Sequence, residues 1–167
     1  MIGYFMYGTN NLEKSSKFYD SFLPEIEMIK VEDDNEFIGY ARKDDPKKTI
    51  FYITLPFDGG KASFGNGTMV AFKVLSQQIV DKVHELAIKN GGINEGDPGI
   101  REGYDNMYFS YFRDLDNNKV CVYSELWKKY KKIIFYLKLF FNFISFRLSF
   151  VKQLSLVEEI KKNILNN

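Results

Sequence analysis

The sequence is poor in cysteine and histidine, with one residue of each among its 167. The single cysteine, Cys121, excludes a disulfide within the chain. The single histidine, His84, excludes a zinc or iron site built from several imidazoles of one chain. The residues after Met1 contain no basic segment, no long apolar run and no small-residue cleavage site. We therefore expect no secretory signal and a cytoplasmic location.

Glycine and proline, which mark turns in the first part of the chain, are absent after Trp127. Residues 1–127 carry 14 basic and 20 acidic side chains, a net charge of −6, whereas residues 128–167 carry 9 and 2, a net charge of +7. This change predicts a boundary near residue 127. It separates a main domain, residues 1–127, from a basic, aromatic-rich C-terminal extension, residues 128–167.

The extension opens with four lysines within residues 128–132, followed by residues 133–150, of which thirteen of eighteen are apolar. Lys138 and Arg147 lie inside this stretch and argue against a membrane span. Three alternatives stay open for residues 128–152: a weak membrane-surface helix, an oligomer contact, or an extension without function. The extension lacks the spaced aromatic residues of a nucleic-acid groove, so we expect no nucleic-acid partner.

Two stretches of the chain predict the same order of elements, a strand, a helix and three further strands. Module 1, residues 1–57, is predicted to contain a helix and four strands: Ile2–Gly8, the helix Leu12–Leu23, Ile26–Val31, Phe37–Ala41 and Thr49–Leu55. Module 2, residues 66–125, repeats the order: Thr68–Val74, a helix capped by Ser76 and stopped at Asn90–Gly92, Ile93–Glu95, Met107–Phe112 and Lys119–Tyr123. The sequence predicts an α+β fold of paired βαβββ modules forming a cup-shaped mixed sheet with helices outside.

The last two strands are predicted to form a hairpin, Tyr108–Tyr123. Four of the five residues of its turn, Asp114–Asn118, are Asp or Asn. Such side chains bond their own backbone and tolerate left-handed dihedral angles, so they favour a turn.

Three segments carry a family resemblance: Thr9–Ser15 with Phe18 and Tyr19, Gly65–Phe72, and Arg113–Lys119. Together they resemble the vicinal oxygen chelate superfamily, the glyoxalase, bleomycin-resistance and extradiol dioxygenase group. They resemble, in that order, its first strand exit and helix, the start of its second module and its Asp-Pro-Asp-Gly-Asn turn. Pro56–Gly59 and Gly91–Arg101 are similar to a glyoxalase-like bacterial subgroup of undetermined activity.

The resemblance places the usual divalent-metal ligands at Tyr4, Met69 and Cys121, with a fourth position near Ile53. None of these side chains is a good ligand for a hard metal ion. We therefore expect no metal and no cofactor, and the resemblance implies the scaffold without its best-known metal chemistry.

Strand alternation places Tyr4, Met69, Cys121 and Tyr123 on the face that would line the cup. Arg101 and Tyr104 lie in a polar loop near its mouth. A cup lined in this way favours a flat or apolar small molecule, held by stacking and sulfur contacts. The alternatives are that the cup has closed into ordinary core, that Arg101 is simply solvated and that Cys121 is a small buried apolar residue.

We thus expect a cytoplasmic glyoxalase/bleomycin-resistance-type protein that binds a small molecule in a metal-free aromatic cup. The alternative is a glyoxalase-like lyase or isomerase of the lactoylglutathione lyase type, using a metal or an unrecognised acid/base pair. His84 could act as an acid or base, but its place on a helix outside the sheets favours a structural role. The paired modules are compatible with either a closed monomer or a homodimer.

Overall fold

The computed structural model of the protein describes residues 2–104 and 106–125. The described residues belong to one compact unit, Met1–Leu126. The predicted extension, residues 128–167, and its proposed surface segment, residues 128–152, lie outside them. The boundary near residue 127 therefore stays a prediction.

Each module contains one helix and four strands. In module 1 these are β1 Phe5–Gly8, α1 Leu12–Asp20, β2 Met28–Asp33, β3 Phe37–Arg42 and β4 Asp45–Thr54. In module 2 they are β5 Met69–Val74, α2 Gln77–Lys89, β6 Ile93–Ile100, β7 Met107–Arg113 and β8 Lys119–Glu125. Among the described residues, no helix is long and apolar enough to cross a membrane.

The two modules form two four-stranded sheets of the same topology. Their strand orders are β1-β4-β3-β2 and β5-β8-β7-β6. The first strand of each module pairs in parallel with the last, and the other pairs are antiparallel. The predicted α+β class and the repeated βαβββ order are confirmed.

The helix ends follow from local chemistry. The side chain of Asn11 accepts the Lys14 N–H at 2.9 Å and caps α1, and Ser76 accepts the Ile79 N–H at 3.4 Å and caps α2. Gly91, with φ of +99°, supplies the left-handed residue that ends α2. The Ser76 cap and the stop at Asn90–Gly92 were predicted from the sequence.

Four predicted elements differ by three or more residues at one end. The first strand begins at Phe5 rather than Ile2. The first helix ends at Asp20, and a 3₁₀ turn, Leu23–Ile26, follows around Pro24. The strand predicted at Thr49–Leu55 begins earlier, at Asp45, because the turn before it lies at residues 43–44 and Arg42 already pairs with Asp45. β6 runs to Ile100 rather than stopping at Glu95. A proline is tolerated in β6 because this strand lies at a sheet edge.

One apolar core lies between the helices and the two sheets and is shared by the modules. Phe51 of β4 packs 5.8 Å from Phe72 of β5, and Phe22, which follows α1, packs 5.6 Å from Phe112 of β7. Burying each such ring contributes about 2–3 kcal/mol to stability. Because the rings come from both halves, we expect the modules to unfold together.

Polar contacts also join the modules. The Tyr7 hydroxyl donates to the Lys119 carbonyl at 2.6 Å and accepts the Val70 N–H at 2.9 Å. Burial raises the pKa of Tyr7 to about 12, so this hydroxyl stays protonated. The Asn118 side chain donates to the Gly8 carbonyl at 3.1 Å. These bonds hold β1, the edge strand of the first sheet, against β5 and β8 of the second sheet.

Candidate functional site

The sheets present one face to the helices and an opposite face, called here the open face. Tyr7, Phe72, Val120 and Val122 belong to the core, whereas Tyr4 is 59%, Met6 48% and Met69 44% exposed. Core and open-face side chains therefore alternate along these strands. At Tyr4, Met6 and Met69 the open face is accessible, so it has not closed into core there.

Three aromatic side chains line the second sheet on this face and are called the aromatic row: Phe109, Tyr111 and Tyr123. The Phe109 ring lies 5.8 Å from the Tyr123 ring at 28°, and 6.0 Å from the Tyr111 ring at 11°. Tyr104 meets Phe109 edge-on at 5.6 Å. The sequence prediction included Tyr123 and Tyr104 but missed Phe109 and Tyr111, which alternation along β7 could have supplied.

Two cations flank Tyr111. The guanidinium carbon of Arg101 lies 5.4 Å from the ring centroid, and the Lys119 ammonium lies 5.7 Å from it. Arg101 also donates to the carbonyls of Asp97 and Ile100. These bonds fold Arg101 back over β6 and place its charge beside the aromatic row.

Glu95 organises a second pair of cations at the end of the hairpin. It accepts a charge-assisted hydrogen bond from Arg113 Nε, and its other oxygen lies 3.0 Å from Lys119 Nζ. Lys119 and Arg113 hold the pKa of Glu95 below its usual value. Glu95 therefore remains ionised and fixes both cations on the open face.

Cys121 lies on β8, directly opposite Tyr111 on β7, and only 1% of it is exposed. Burial raises its pKa to about 11. The thiol is therefore protonated at neutral pH, whereas a nucleophile or metal ligand must be a thiolate. Cys121 supports the aromatic row from beneath.

His84 lies on α2, on the side of the sheet opposite the open face, with its ring 6.2 Å from Phe112. It is buried, and burial lowers its pKa. Its Nε2 lies 3.9 Å from an Asp97 oxygen. The structure does not bring His84 to the predicted ligand residues.

The fourth position that the resemblance assigns to a metal ligand is Tyr52, not Ile53. Met6 pairs with Tyr52 in module 1 as Ala71 pairs with Cys121 in module 2, so Tyr52 is the structural counterpart of Cys121. Ile53 is buried in the core. The sequence prediction placed this position near Ile53, one residue away.

The four positions are thus Tyr4, Tyr52, Met69 and Cys121. A thioether, a protonated thiol and two phenols do not fit the oxygen and imidazole donor sets of the hard divalent ions. Among the residues the structure describes, no three His, Cys, Asp or Glu side chains cluster in a way that could hold a metal ion.

Module 1 carries a carboxylate on its own part of the open face. Glu32 Oε1 accepts hydrogen bonds from the Thr49 hydroxyl and, at 3.1 Å, from the Tyr52 hydroxyl. The three side chains converge over Gly39, where an added Cβ would come within 2.9–3.1 Å of atoms of all three. Burial is the largest cause that raises the pKa of Tyr52.

The structure brings together four of the predicted ligand residues, Arg101, Tyr104, Cys121 and Tyr123, around the aromatic row. Tyr4 lies on the first sheet, with its ring 5.4 Å from that of Tyr52. Met69 lies beside a shallow depression of about 360 Å³ and pairs with Lys119. The site therefore has two parts, one on each sheet.

Comparison with solved structures identifies the family. A glyoxalase/bleomycin resistance protein from Albidiferax ferrireducens T118 is 35% identical, covers 74% of this chain and 97% of its own, and superposes with a TM-score of 0.66. The chain therefore belongs to the glyoxalase/bleomycin resistance protein family. No protein-family model and no curated protein matches the sequence.

Two more distant structures share the fold. A glyoxalase-related enzyme from Fulvimarina pelagi is 18% identical, covers 75% of this chain and 88% of its own, and has a TM-score of 0.60. The fosfomycin resistance protein FosX from Mesorhizobium loti is 16% identical, covers 77% and 95%, and has a TM-score of 0.55. At these identities the likeness concerns the fold alone.

Proposed function

We propose that the protein binds a flat, largely apolar small molecule on the open face of its second sheet, without a divalent metal ion. The observation that carries this proposal is the aromatic row, three rings aligned side by side on a sheet face that neither α1 nor α2 covers. Phe109 is 7% exposed, whereas Tyr111 and Tyr123 on either side of it are partly exposed and offer ring faces to a ligand. Ring faces of this kind hold planar molecules by offset stacking. Tyr104, which is 59% exposed, supplies an edge that a ligand would meet.

The chemistry of the family's metal positions supports a metal-free site. A Lewis-acid mechanism needs donors that fix the ion and leave an open coordination position. Tyr4, Tyr52, Met69 and Cys121 offer no carboxylate and no imidazole. The charged groups that lie beside the Tyr111 ring are instead the cations of Arg101 and Lys119.

We further propose that a second copy of the chain covers the open face. Tyr4, Met6 and Met69 are large apolar side chains exposed on this single face. A patch of exposed apolar side chains more often marks an interaction surface than a surface that stays in contact with water. A two-fold related copy would turn a shallow face into an enclosed site. Light scattering of the purified protein tests this directly, and a monomer at every concentration would contradict it.

The binding proposal is tested by ligand-observed NMR with flat neutral probes, indole and 2-naphthol. We expect saturation transfer to both probes, weakened when Tyr123→Leu removes one ring of the row. Phe37→Leu is the matched control, because Phe37 is an aromatic residue of module 1 whose ring lies 5.9 Å from Tyr52. Equal loss in both variants, or no loss in Y123L, would contradict the assignment to the row.

A second candidate function is favoured by one observation, the Glu32–Tyr52 hydrogen bond on the first sheet. A carboxylate paired with a tyrosine hydroxyl can take a proton from a bound molecule and return one. The exposed ring of Tyr4, in edge contact with Tyr52, would lie beside that molecule. This arrangement supports a glyoxalase-like isomerase or lyase that works through an acid/base pair.

The two candidates differ in what a single substitution does. Exchange of the α-proton of methylglyoxal hemithioacetal into deuterated water, followed by NMR, reports proton abstraction alone. The acid/base candidate predicts exchange that Glu32→Gln abolishes and Glu95→Gln leaves intact. If wild type gives no exchange above buffer for this substrate, the protein does not act on that substrate class.

A further inference from the structure

A shallow depression of about 360 Å³ lies where the linker between the modules reaches the second sheet. Residues 64–69, Arg113 and Lys119 line it. Arg113 and Lys119 face each other across the β7–β8 hairpin, and Met69 pairs with Lys119 on the other side. None of the family's metal positions except Met69 lies in it.

The depression carries a net positive charge. Among the described residues, Glu95 is the carboxylate that pairs with both Arg113 and Lys119, so there two cations share one anion. Arg113 Nη1 donates to the Asn117 carbonyl at 2.7 Å, and its guanidinium lies 5.3 Å from the Phe64 ring. Both cations are thereby held in place.

Both cations retain unused donors. Within residues 2–104 and 106–125, Arg113 Nη2 donates no hydrogen bond, and Lys119 Nζ contacts one oxygen although it carries three N–H groups. Fixed N–H donors with spare capacity, in partly exposed positions, are suited to bind an oxyanion.

The depression also adjoins the aromatic row, because Lys119 lines the depression and lies beside Tyr111 of the row. Its ammonium lies 5.7 Å from the Tyr111 ring while its side chain lines the depression. Met69 and Phe64 add exposed apolar surface around the charged donors. A molecule stacked on the row would extend its charged end toward Arg113 and Lys119.

We propose that this depression binds the oxyanion, a phosphoryl or carboxylate group, of the same small molecule whose flat part lies on the aromatic row. The ligand class is therefore a flat aromatic or apolar compound with one anionic end. This inference rests on the proposed binding function and names the substrate class of that site.

The test compares three probes, phenyl phosphate, phenol and inorganic phosphate, by NMR titration of the full chain. We expect phenyl phosphate to bind more tightly than either of the other two. Lys119→Met should weaken the binding of phenyl phosphate about tenfold or more, because it removes a hydrogen bond between charged groups. Lys119→Arg should restore binding.

The matched control is Lys89→Met, which removes a lysine from α2 on the other side of the sheet. Each outcome supports or contradicts either the anion subsite or the aromatic row. Equal affinities for phenol and phenyl phosphate, unchanged in K119M, would overturn the anion subsite and leave the aromatic site standing. Phosphate binding that requires Lys119, without any phenol binding, would support the subsite and contradict the aromatic row. No binding of phenyl phosphate at millimolar concentration would overturn the inference.

Discussion

The hydroxyl group of Tyr19 donates a 2.8 Å hydrogen bond to the carboxylate of Asp114, although the two residues lie 95 positions apart. Tyr19 belongs to α1, and Asp114 begins the turn between β7 and β8. Asp114 also accepts the backbone N–H groups of Asp116 and Asn118 at 2.9 and 2.8 Å. One buried carboxylate therefore shapes the turn and ties it to the helix of the other module.

Removing this tie should destabilise the whole domain. In Tyr19→Phe the carboxylate stays buried with one donor fewer, so we expect the free energy of unfolding to fall by about 1–3 kcal/mol. Tyr108→Phe is the control, because it breaks an exposed Tyr–Asp hydrogen bond, to Asp81, and should cost less than about 1 kcal/mol. Urea denaturation measures both, and equal losses would contradict the account.

The pH dependence of stability has a definite sign at Asp114. Burial raises its folded pKa above the usual value, although its hydrogen bonds lower it in part. The folded state therefore binds the proton more tightly, and the contribution of Asp114 falls as the pH rises from about 3.9, the ordinary aspartate value, through the folded pKa. Asp114→Asn should be less stable overall but should lack this fall. The test is the free energy of unfolding of both proteins between pH 3 and 6, from about one unit below the ordinary aspartate pKa to about two units above it. Curves that stay parallel over this range would contradict the prediction.

The paired modules were predictable because their signals are local. Asn11 and Ser76 cap helices at the predicted residues, and the Asp/Asn turn Asp114–Asn118 does contain a left-handed residue, Asn117 with φ of 65°. Strand ends were less predictable. Pro46 is a residue type typical of turns, yet it lies within β4. It is tolerated because β1 pairs only with the part of β4 from Phe51 onward, so a proline at position 46 breaks no hydrogen bond to β1.

The site was less predictable than the fold. Tyr123 and Tyr104 followed from alternation and loop position, but the partners of Arg101, the Tyr111 ring and the carbonyls of β6, depend on how an irregular edge strand folds back. The pairing of Glu32 with Tyr52 needs the register of β2, β3 and β4, which contains bulges. No periodicity in the sequence encodes those shifts.

Gly39 should be required for the Glu32 cluster. A Cβ at this position would lie 2.9 Å from a Thr49 methyl group and 3.0 Å from the Tyr52 ring. We expect Gly39→Ala to reduce stability by about 1–3 kcal/mol, as overpacking does. Gly3→Ala is the matched control, since an added Cβ there has nothing within 4 Å. Thermal unfolding of the two variants should separate them clearly, and a neutral G39A would show that the cluster can shift.

Cys121 should react slowly in the folded protein. Its thiol is buried, and its pKa of about 11 leaves little thiolate at pH 8. We expect Ellman's reagent to label it at the rate of unfolding, and rapidly in denaturant. Fast labelling of the native protein at pH 8 would show instead an accessible, activated thiol, and would reopen its use as a nucleophile.

The C-terminal extension offers a separate prediction about membranes. If residues 128–152 bind a membrane surface, the full chain should sediment with phosphatidylserine vesicles more than with phosphatidylcholine vesicles. Changing Lys128, Lys129, Lys131 and Lys132 to Gln should remove the difference. If wild type and variant behave alike, the membrane-surface hypothesis is removed and the other two alternatives remain.

The central claim is that this family member binds its ligand without a divalent metal. Metal analysis of protein purified without chelator, combined with titration of 2-naphthol before and after EDTA treatment, tests it most directly. We predict no stoichiometric transition metal and the same affinity in both titrations. One equivalent of bound nickel, zinc or iron, lost together with 2-naphthol binding when Cys121 is replaced by Ala, would contradict the claim.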